Sequence, residues 1–293
     1  MHIPVLLNEA IEGLDIQPHD VVVDMTLGGG GHARALLDKY PSITLLGIDK
    51  DPVSLKRAQE NFNDTDNISF HNVRFDEISS VLEKENITSV DKILFDLGLN
   101  TWQLKADQKG FGFSENAPLY MTLGNPEDYS FTAQDIVNEW KEEDIANVIY
   151  GYGDEKFSRR IAKAIVEKRA EKPFETTFEL AQCIFQAVPS WYRARKTHPA
   201  TKSFQALRIA VNDEEDVLRD ALRESFNSVP GGGRIAVISF HSGEDRIVKN
   251  YFRDLKQNKE ALFITKKPIV PTIEETKSNP ASRSAKLRII QKI

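Results

Sequence analysis

Asp24, Asp49 and Asp96 each close a short apolar run, in VVVDMTLGGGGH, LLGIDKDP and ILFDLGLN, and Asp24 is followed by four consecutive glycines, Gly28 to Gly31. Glycines at such a turn reach positive φ and let the backbone approach a ligand closely, while the N–H groups of the helix that follows face whatever binds. Asp49, one strand further on, can accept both hydroxyls of a nucleoside ribose. The chemistry this spacing suits is the holding of a nucleoside-containing cofactor.

Those acids need a sheet to bring them together. The first hundred residues alternate strand and helix patterns: Val21 to Leu27, a helix from Gly31, Leu45 to Ile48, a helix from Pro52, Ile68 to Phe75, a helix from Asp76, and Ile93 to Leu97. Such alternation predicts a parallel sheet with right-handed crossovers and ligand-facing residues at the carboxyl ends of its strands. Asp24, Asp49, Phe75 and Asp96 then share one crevice. Three more runs, Arg234 to Phe240, Leu262 to Thr265 and Ala285 to Lys292, complete one α/β sheet. From Lys105 to Pro199 the alternation gives way to helix-period segments such as DIVNEWKEEDIANVIYGYG, and a helix over Ser203 to Ser228 returns the chain to the sheet. The expected organisation is a sheet domain of residues 1–104 and 200–293, with residues 105–199 as a helical insertion.

At 293 residues, 40% hydrophobic and 28% charged, the chain has the composition of a folded globular protein. No apolar run reaches the ~18 residues of a membrane span and no signal segment opens the chain, so cytoplasmic residence is the expectation. The single cysteine, Cys183, lies in the helical pattern FELAQCIFQAV and reads as a packing thiol rather than a nucleophile. Six histidines form no ligand-spaced cluster, so no metal is expected. The net charge of −6 is unevenly spread: ten acids and one lysine from Glu115 to Glu155, then eleven Lys or Arg against four Glu from Lys156 to Lys202. A basic face of that kind can meet phosphate.

The glycine turn by itself leaves the cofactor open, because Gly28, Gly30 and Ala33 also satisfy the loose dinucleotide pattern G-x-G-x-x-A. Asp24 ahead of the glycines and Asp96 within FDLGLN favour S-adenosylmethionine over a nicotinamide. Longer segments then carry a resemblance: HIPVLLNEAIEGL, DMTLGGGGHA, IDKDP, FDLGLNTWQL, KGFGFS, YGDEKFSRRIAKAIV, HPATKSFQALRIAVN, GGRIAVISFHSGEDRIVK and NPASRSAKLR. In their order and almost end to end, these resemble the bacterial 16S ribosomal RNA cytosine-N4 methyltransferases, the RsmH or MraW family. The resemblance implies a class I, Rossmann-like S-adenosylmethionine-dependent methyltransferase fold, with a mostly parallel seven-stranded sheet and a helical insertion. It also implies methylation of a cytidine of 16S rRNA near the ribosomal P site.

Carried over residue by residue, the resemblance assigns the methionine-and-ribose loop to Gly30, Gly31 and His32, the ribose acid to Asp49, and the flank of the adenine to Phe75. It assigns the remaining polar edge of the cofactor to Asp96 and Gln103. The alternatives are ordinary: Phe75 as core, His32 as packing at a helix start, Gln103 as a loop amide. Transfer to a cytosine amine, whose lone pair is delocalised, calls for in-line positioning and for acceptors of the amino protons. Asp96, Asn100 and Thr101 are candidates, as are His241, Ser242, Glu244 and Asp245 in SFHSGEDR, with a structural hydrogen-bonding role the alternative for His241.

The sequence departs from the family at three places. DLGLNT stands where a DLGVSS-like stretch is usual, and APLYMTL where GPLDMRM is usual, so an expected acid is Tyr120 and an expected arginine is Thr122. Loss of that pair beside the expected substrate opening predicts altered nucleobase engagement. Gly243 in place of leucine predicts a looser helix start. For RNA, Arg159, Arg160, Lys163, Arg193, Arg195, Lys196 and Lys202 are the candidate phosphate contacts, against a solvated face paired with Glu167 and Glu171. Trp191 and Tyr192 either stack on an unpaired base or are buried. Two rival functions share these features, a small-molecule methyltransferase and a divergent paralogue that binds RNA or ribosomes without methyl transfer. The expected partner is 16S rRNA within the small ribosomal subunit, with self-association as a homodimer a further expectation from the family.

Overall fold

The computed structural model describes residues 3–99, 103 and 108–293. Runs of valine, isoleucine and leucine form seven strands: β1 Val21–Asp24, β2 Thr44–Ile48, β3 Ile68–His71, β4 Lys92–Asp96, β5 Arg234–Ser239, β6 Ala261–Phe263 and β7 Lys286–Lys292. They make one sheet in the order β3-β2-β1-β4-β5-β7-β6. The first five pair in parallel, and β7 runs antiparallel to both β5 and β6. Strand order reverses between β1 and β4, the topological position at which open α/β sheets bind ligands beyond the carboxyl ends of their strands.

Side chains alternate between two cores. Val23, Leu46, Ile93, Phe95 and Val237 pack on one face, and Val22, Leu45, Leu94, Ala236 and Ile238 on the other. Both faces are covered, which is why these strands read as continuous apolar runs rather than as alternating ones. The strands are shorter than the apolar runs suggest. β1 stops at Asp24 because its carboxylate accepts the Thr26 N–H at 3.1 Å and bends the chain, and a 3₁₀ turn over Phe75–Glu77 replaces the expected end of β3.

One helix precedes the first strand, and the next three follow β1, β2 and β3. α1 spans Leu7–Leu14, α2 Gly31–Lys39, α3 Pro52–Asn61 and α4 Ile78–Glu85. Asp51 caps α3 by accepting the Val53 N–H at 3.2 Å and the Ser54 hydroxyl at 2.7 Å, with Pro52 in the first helical position.

The chain divides into two units, residues 1–98 with 215–293, and residues 99–214. The second unit is built mainly from helices and has its own core, which includes Ile136, Ile149, Ile161, Leu180, Ile184, Phe204 and Leu207. Its limits differ from the expected 105–199. The expected helix over Ser203 to Ser228 is two helices, Ala200–Asn212 and Glu214–Ser228, broken at Asp213 with φ 51°. Neither glycine nor proline marks that break, since aspartate tolerates the left-handed conformation. The first of the two buries Phe204 and Leu207 in the helical unit, and the second buries Leu218 and Phe226 against the sheet. Cys183 is buried in the helical core, and burial pushes its thiol up to about 11. Among the described residues no helix is long and apolar enough to cross a membrane.

Candidate active site

Asp24 is buried at the end of β1, and burial, with the Asp49 charge nearby, raises its carboxyl to about 7 against the pull of the Thr26 N–H. Thr26 turns back to accept the Asp96 N–H on its hydroxyl at 2.6 Å, which ties the end of β4 to the turn after β1. Asp96 is thereby held beside Asp24. Burial first, then the charges of Asp24 and Glu244, raise the Asp96 carboxyl well above the ordinary carboxylate range. Its Oδ1 is buried with no hydrogen-bond partner among the described residues. An uncompensated acid of this kind is costly in a fold and marks a place for a ligand or a reaction.

The glycine turn is tied to the next strand through Asp49. One carboxylate oxygen accepts the Gly28 N–H at 2.7 Å and the other the Asp51 N–H at 2.8 Å. A carboxylate of this kind is acceptor-only, the chemistry that a ribose diol requires of its partner. Asn72 holds the loop from behind, its side-chain amide donating to the carbonyls of Asp49 and Lys50 at 2.8 and 3.0 Å. At Gly30, with φ 76°, an added Cβ would lie 2.5 Å from the Phe62 ring, and at Gly31 one would lie 2.5 Å from Pro4. Those two glycines are therefore required by packing, and what they offer a ligand is backbone. Gly30 is the N-cap of α2 and no side chain caps that helix, which leaves its start to an incoming group.

His32 is buried in the first turn of α2, its Nε2 3.1 Å from the Val5 carbonyl oxygen and its Nδ1 3.5 Å from Asp96 Oδ2. Phe75 is half-buried and packs edge-on against Phe95, the ring centroids 5.9 Å apart. Asp24, His32, Asp49 and Asp96 are thus brought together by the strand ends, with Phe75 beside β4. Gln103 is buried and belongs to the second unit. Asn100 and Thr101 lie outside the described residues.

The second group, from SFHSGEDR, divides. His241 is the N-cap of the helix Ser242–Gln257: its Nδ1 accepts the Glu244 N–H at 3.4 Å, and Glu244 Oε2 accepts the N–H groups of His241 and Phe240 at 3.2 and 2.8 Å. Nε2 of the ring lies 3.1 Å from Glu244 Oε1 without the alignment of a hydrogen bond. This reciprocal cap holds a helix start that Gly243 was expected to loosen. Histidine is an uncommon cap, and only the Glu244 three residues on hinted at it. Asp245 is engaged away from any reaction by Arg288 and Lys286 at 2.8 and 2.9 Å. Burial works to raise its pKa, and those two hydrogen bonds outweigh that and lower it.

In the second unit Thr122 is fully buried, its hydroxyl donating to the Gly124 carbonyl at 3.2 Å, so it is a packed interior group rather than the rim of an opening. The basic set also divides. Arg193 donates to the carbonyls of Val188 and Gln186, and Lys202 to that of Asp154. Arg159, Arg160 and Lys196 are exposed, and Lys163 lies 3.8 Å from Glu167. Trp191 is 54% exposed, with Lys156 4.6 Å and Arg195 5.4 Å from its ring. Tyr192 is buried and donates its hydroxyl to Glu155 at 2.5 Å.

The sequence pattern of the MraW methylase family matches residues 1–293. The chain belongs to the MraW methylase family. Among its relatives, ribosomal RNA small subunit methyltransferase H of Clostridium botulinum (strain Loch Maree / Type A3) is 42% identical, over 100% of this chain and 99% of that protein. The protein of the same name from Persephonella marina is 43% identical over the same shares. A solved rRNA methylase of Streptococcus thermophilus, 11% identical, aligns over 98% of this chain and 93% of its own with a TM-score of 0.46. Membership of the MraW methylase family makes the chain an S-adenosylmethionine-dependent methyltransferase by class.

Proposed function

We propose that this protein transfers a methyl group from S-adenosylmethionine to N4 of a cytidine in 16S rRNA, close to the ribosomal P site and within the small subunit in the cytoplasm. The observation that carries the reading is the buried Asp96 carboxyl, whose Oδ1 has no partner among the described residues, at the strand end beside Asp24. The donor suits the residues present. Beyond the effect of burial, the Asp49 charge raises the Asp24 carboxyl and the Asp24 charge raises that of Asp96, an acidic setting complementary to a ligand bearing a sulfonium and an ammonium charge. Asp49 would hold the ribose, the Gly28–Gly31 backbone would approach the amino-acid end, and Phe75 would flank the adenine.

When bound, S-adenosylmethionine supplies an electrophilic methyl already activated by positive charge. The protein has to align the amine and take its proton. Asp96 Oδ1 would accept an N4–H, restoring electron density to nitrogen, and the proton released on transfer would pass to this carboxyl. His32 Nδ1 lies 3.5 Å from the other oxygen of the same group. His241 acts as a positioning residue, because its ring is committed to the cap that holds Glu244. The deciding experiment incubates the purified protein with labelled S-adenosylmethionine and small subunits lacking the modification. N4-methylcytidine on mass spectrometry supports the reading, and its absence, or label on another nucleoside, overturns it.

A further inference from the structure

The helix Ser242–Gln257, the end of β6 and strand β7 border an open cavity of about 160 Å³ lined by Lys249, Arg253, Lys266 and Arg288, with Phe252 and Phe263 beside them; Arg253 is paired with Asp254 at 2.9 Å. In a chain of net charge −6 this is a local reversal of sign. Lys249 and Lys266 have no ion pair or hydrogen bond among the described residues. Arg288 is aimed by Asp245, which takes its Nε at 2.8 Å and leaves the other two guanidinium nitrogens without a described acceptor. In the same wall the Thr265 hydroxyl is buried without a partner among the described residues.

The charge calls for an anion. The volume is well below the ~300 Å³ at which ordinary small-molecule sites begin, so the cavity suits one phosphate group rather than a whole nucleotide. Its place in the fold selects the source. The register of β7 sets Lys286 opposite Ser239 and Arg288 opposite Val237, so Arg288 lies near the end of β5 from which His241 follows. Lys249 is seven residues beyond the first residue of its helix, or ~10 Å at 1.5 Å per residue. A nucleic-acid strand covers that distance in roughly three nucleotides.

We infer that this cavity binds one backbone phosphate of the RNA substrate, a few nucleotides from the target base, and so sets the register in which the strand enters. The inference rests on the RNA reading above. Its test compares wild type with the double variant Lys249→Glu, Lys266→Glu and with Thr265→Val, using RNA from the unmodified small subunit across a salt series. Calorimetry with S-adenosylmethionine checks that each variant is folded. The charge-reversal variant is expected to bind RNA more weakly whatever the sequence, with a log–log salt slope shallower by about 0.7, the loss of one phosphate on a single strand. KM for the RNA rises, and donor affinity stays within twofold of wild type. Unchanged RNA affinity and slope in a variant that still binds donor overturns the inference. So does tight binding of pyrophosphate that the double variant abolishes while RNA binding is unaffected, since the cavity would then serve a free anion. If wild type itself neither binds this RNA nor methylates it, the RNA reading falls, and that result is distinct from a wild type that methylates normally beside an unaltered variant.

Discussion

His32 Nδ1 lies 3.5 Å from Asp96 Oδ2, while the opposite nitrogen of the same ring lies 3.1 Å from the Val5 carbonyl oxygen. A carbonyl can only accept, so Nε2 carries a hydrogen, and in the neutral ring Nδ1 presents a lone pair to the carboxyl. Nδ1 is therefore the ring atom turned toward the Asp96 carboxyl, which burial and the charges of Asp24 and Glu244 hold well above the ordinary carboxylate range. A cationic donor arriving beside Asp96 favours the ionised carboxylate that can accept from an amine.

Asp96→Asn keeps the shape of this group and removes its ability to take a proton. Methyl transfer measured in single turnover is expected to fall by about 10²–10⁴-fold, the usual worth of a positioned proton acceptor. Donor affinity by calorimetry should change far less. Equal losses in both would assign Asp96 to cofactor binding alone.

Asp49→Ala removes acceptors that would meet the ribose as well as the ties to Gly28 and Asp51. Hydrogen bonds to a charged group are worth about 1.5–3 kcal/mol, so donor Kd should rise by about 10–100-fold. The melting temperature should drop too, because the glycine turn loses its anchor. Wild-type donor affinity in a folded Asp49→Ala protein would remove the ribose assignment.

Burial holds the Asp24 carboxyl at about 7 in the fold, against 3.8 for the free side chain. Between those values the unfolded chain has released the proton that the native state keeps, so stability falls as pH rises through this window and levels off above it. The slope is on the order of 1 kcal/mol per pH unit. Asp24→Asn, neutral at every pH, should melt higher than wild type at pH 8, with the advantage shrinking toward pH 4. Donor binding to wild type should release protons near neutral pH and tighten as pH rises. Calorimetry in buffers of different ionisation heat measures that release, and none would mean the acids do not face the donor's charge.

Trp191 is half-exposed beneath Lys156 and Arg195, an arrangement that can stack on an unpaired base. Trp191→Ala is expected to weaken RNA binding by about 1–3 kcal/mol. Thermal stability should shift only slightly. A large loss of stability with unchanged RNA affinity would make Trp191 a packing residue.

The order of apolar runs and the acids that close them were enough to foresee the sheet and its parallel half, with Asp24 and Asp96 at strand ends, because strand period and chain direction are local properties of the sequence. The packing role of Cys183 was legible for the same reason. Other features were not, since they depend on which distant group arrives. Gly30 and Gly31 looked like ligand contacts, and only the fold brings Phe62 and Pro4 against them. His241 looked like chemistry and became a helix cap once Glu244 folded back to it. Thr122 stood at an expected opening and is interior. The break at Asp213 moved one helix into the helical unit, a choice made by where Phe204 and Leu207 are buried. Sequence alone determined which residues end the strands. Tertiary structure decided that Asp96 Oδ1 has no hydrogen-bond partner among the described residues, because that depends on which distant groups come within hydrogen-bonding distance of it.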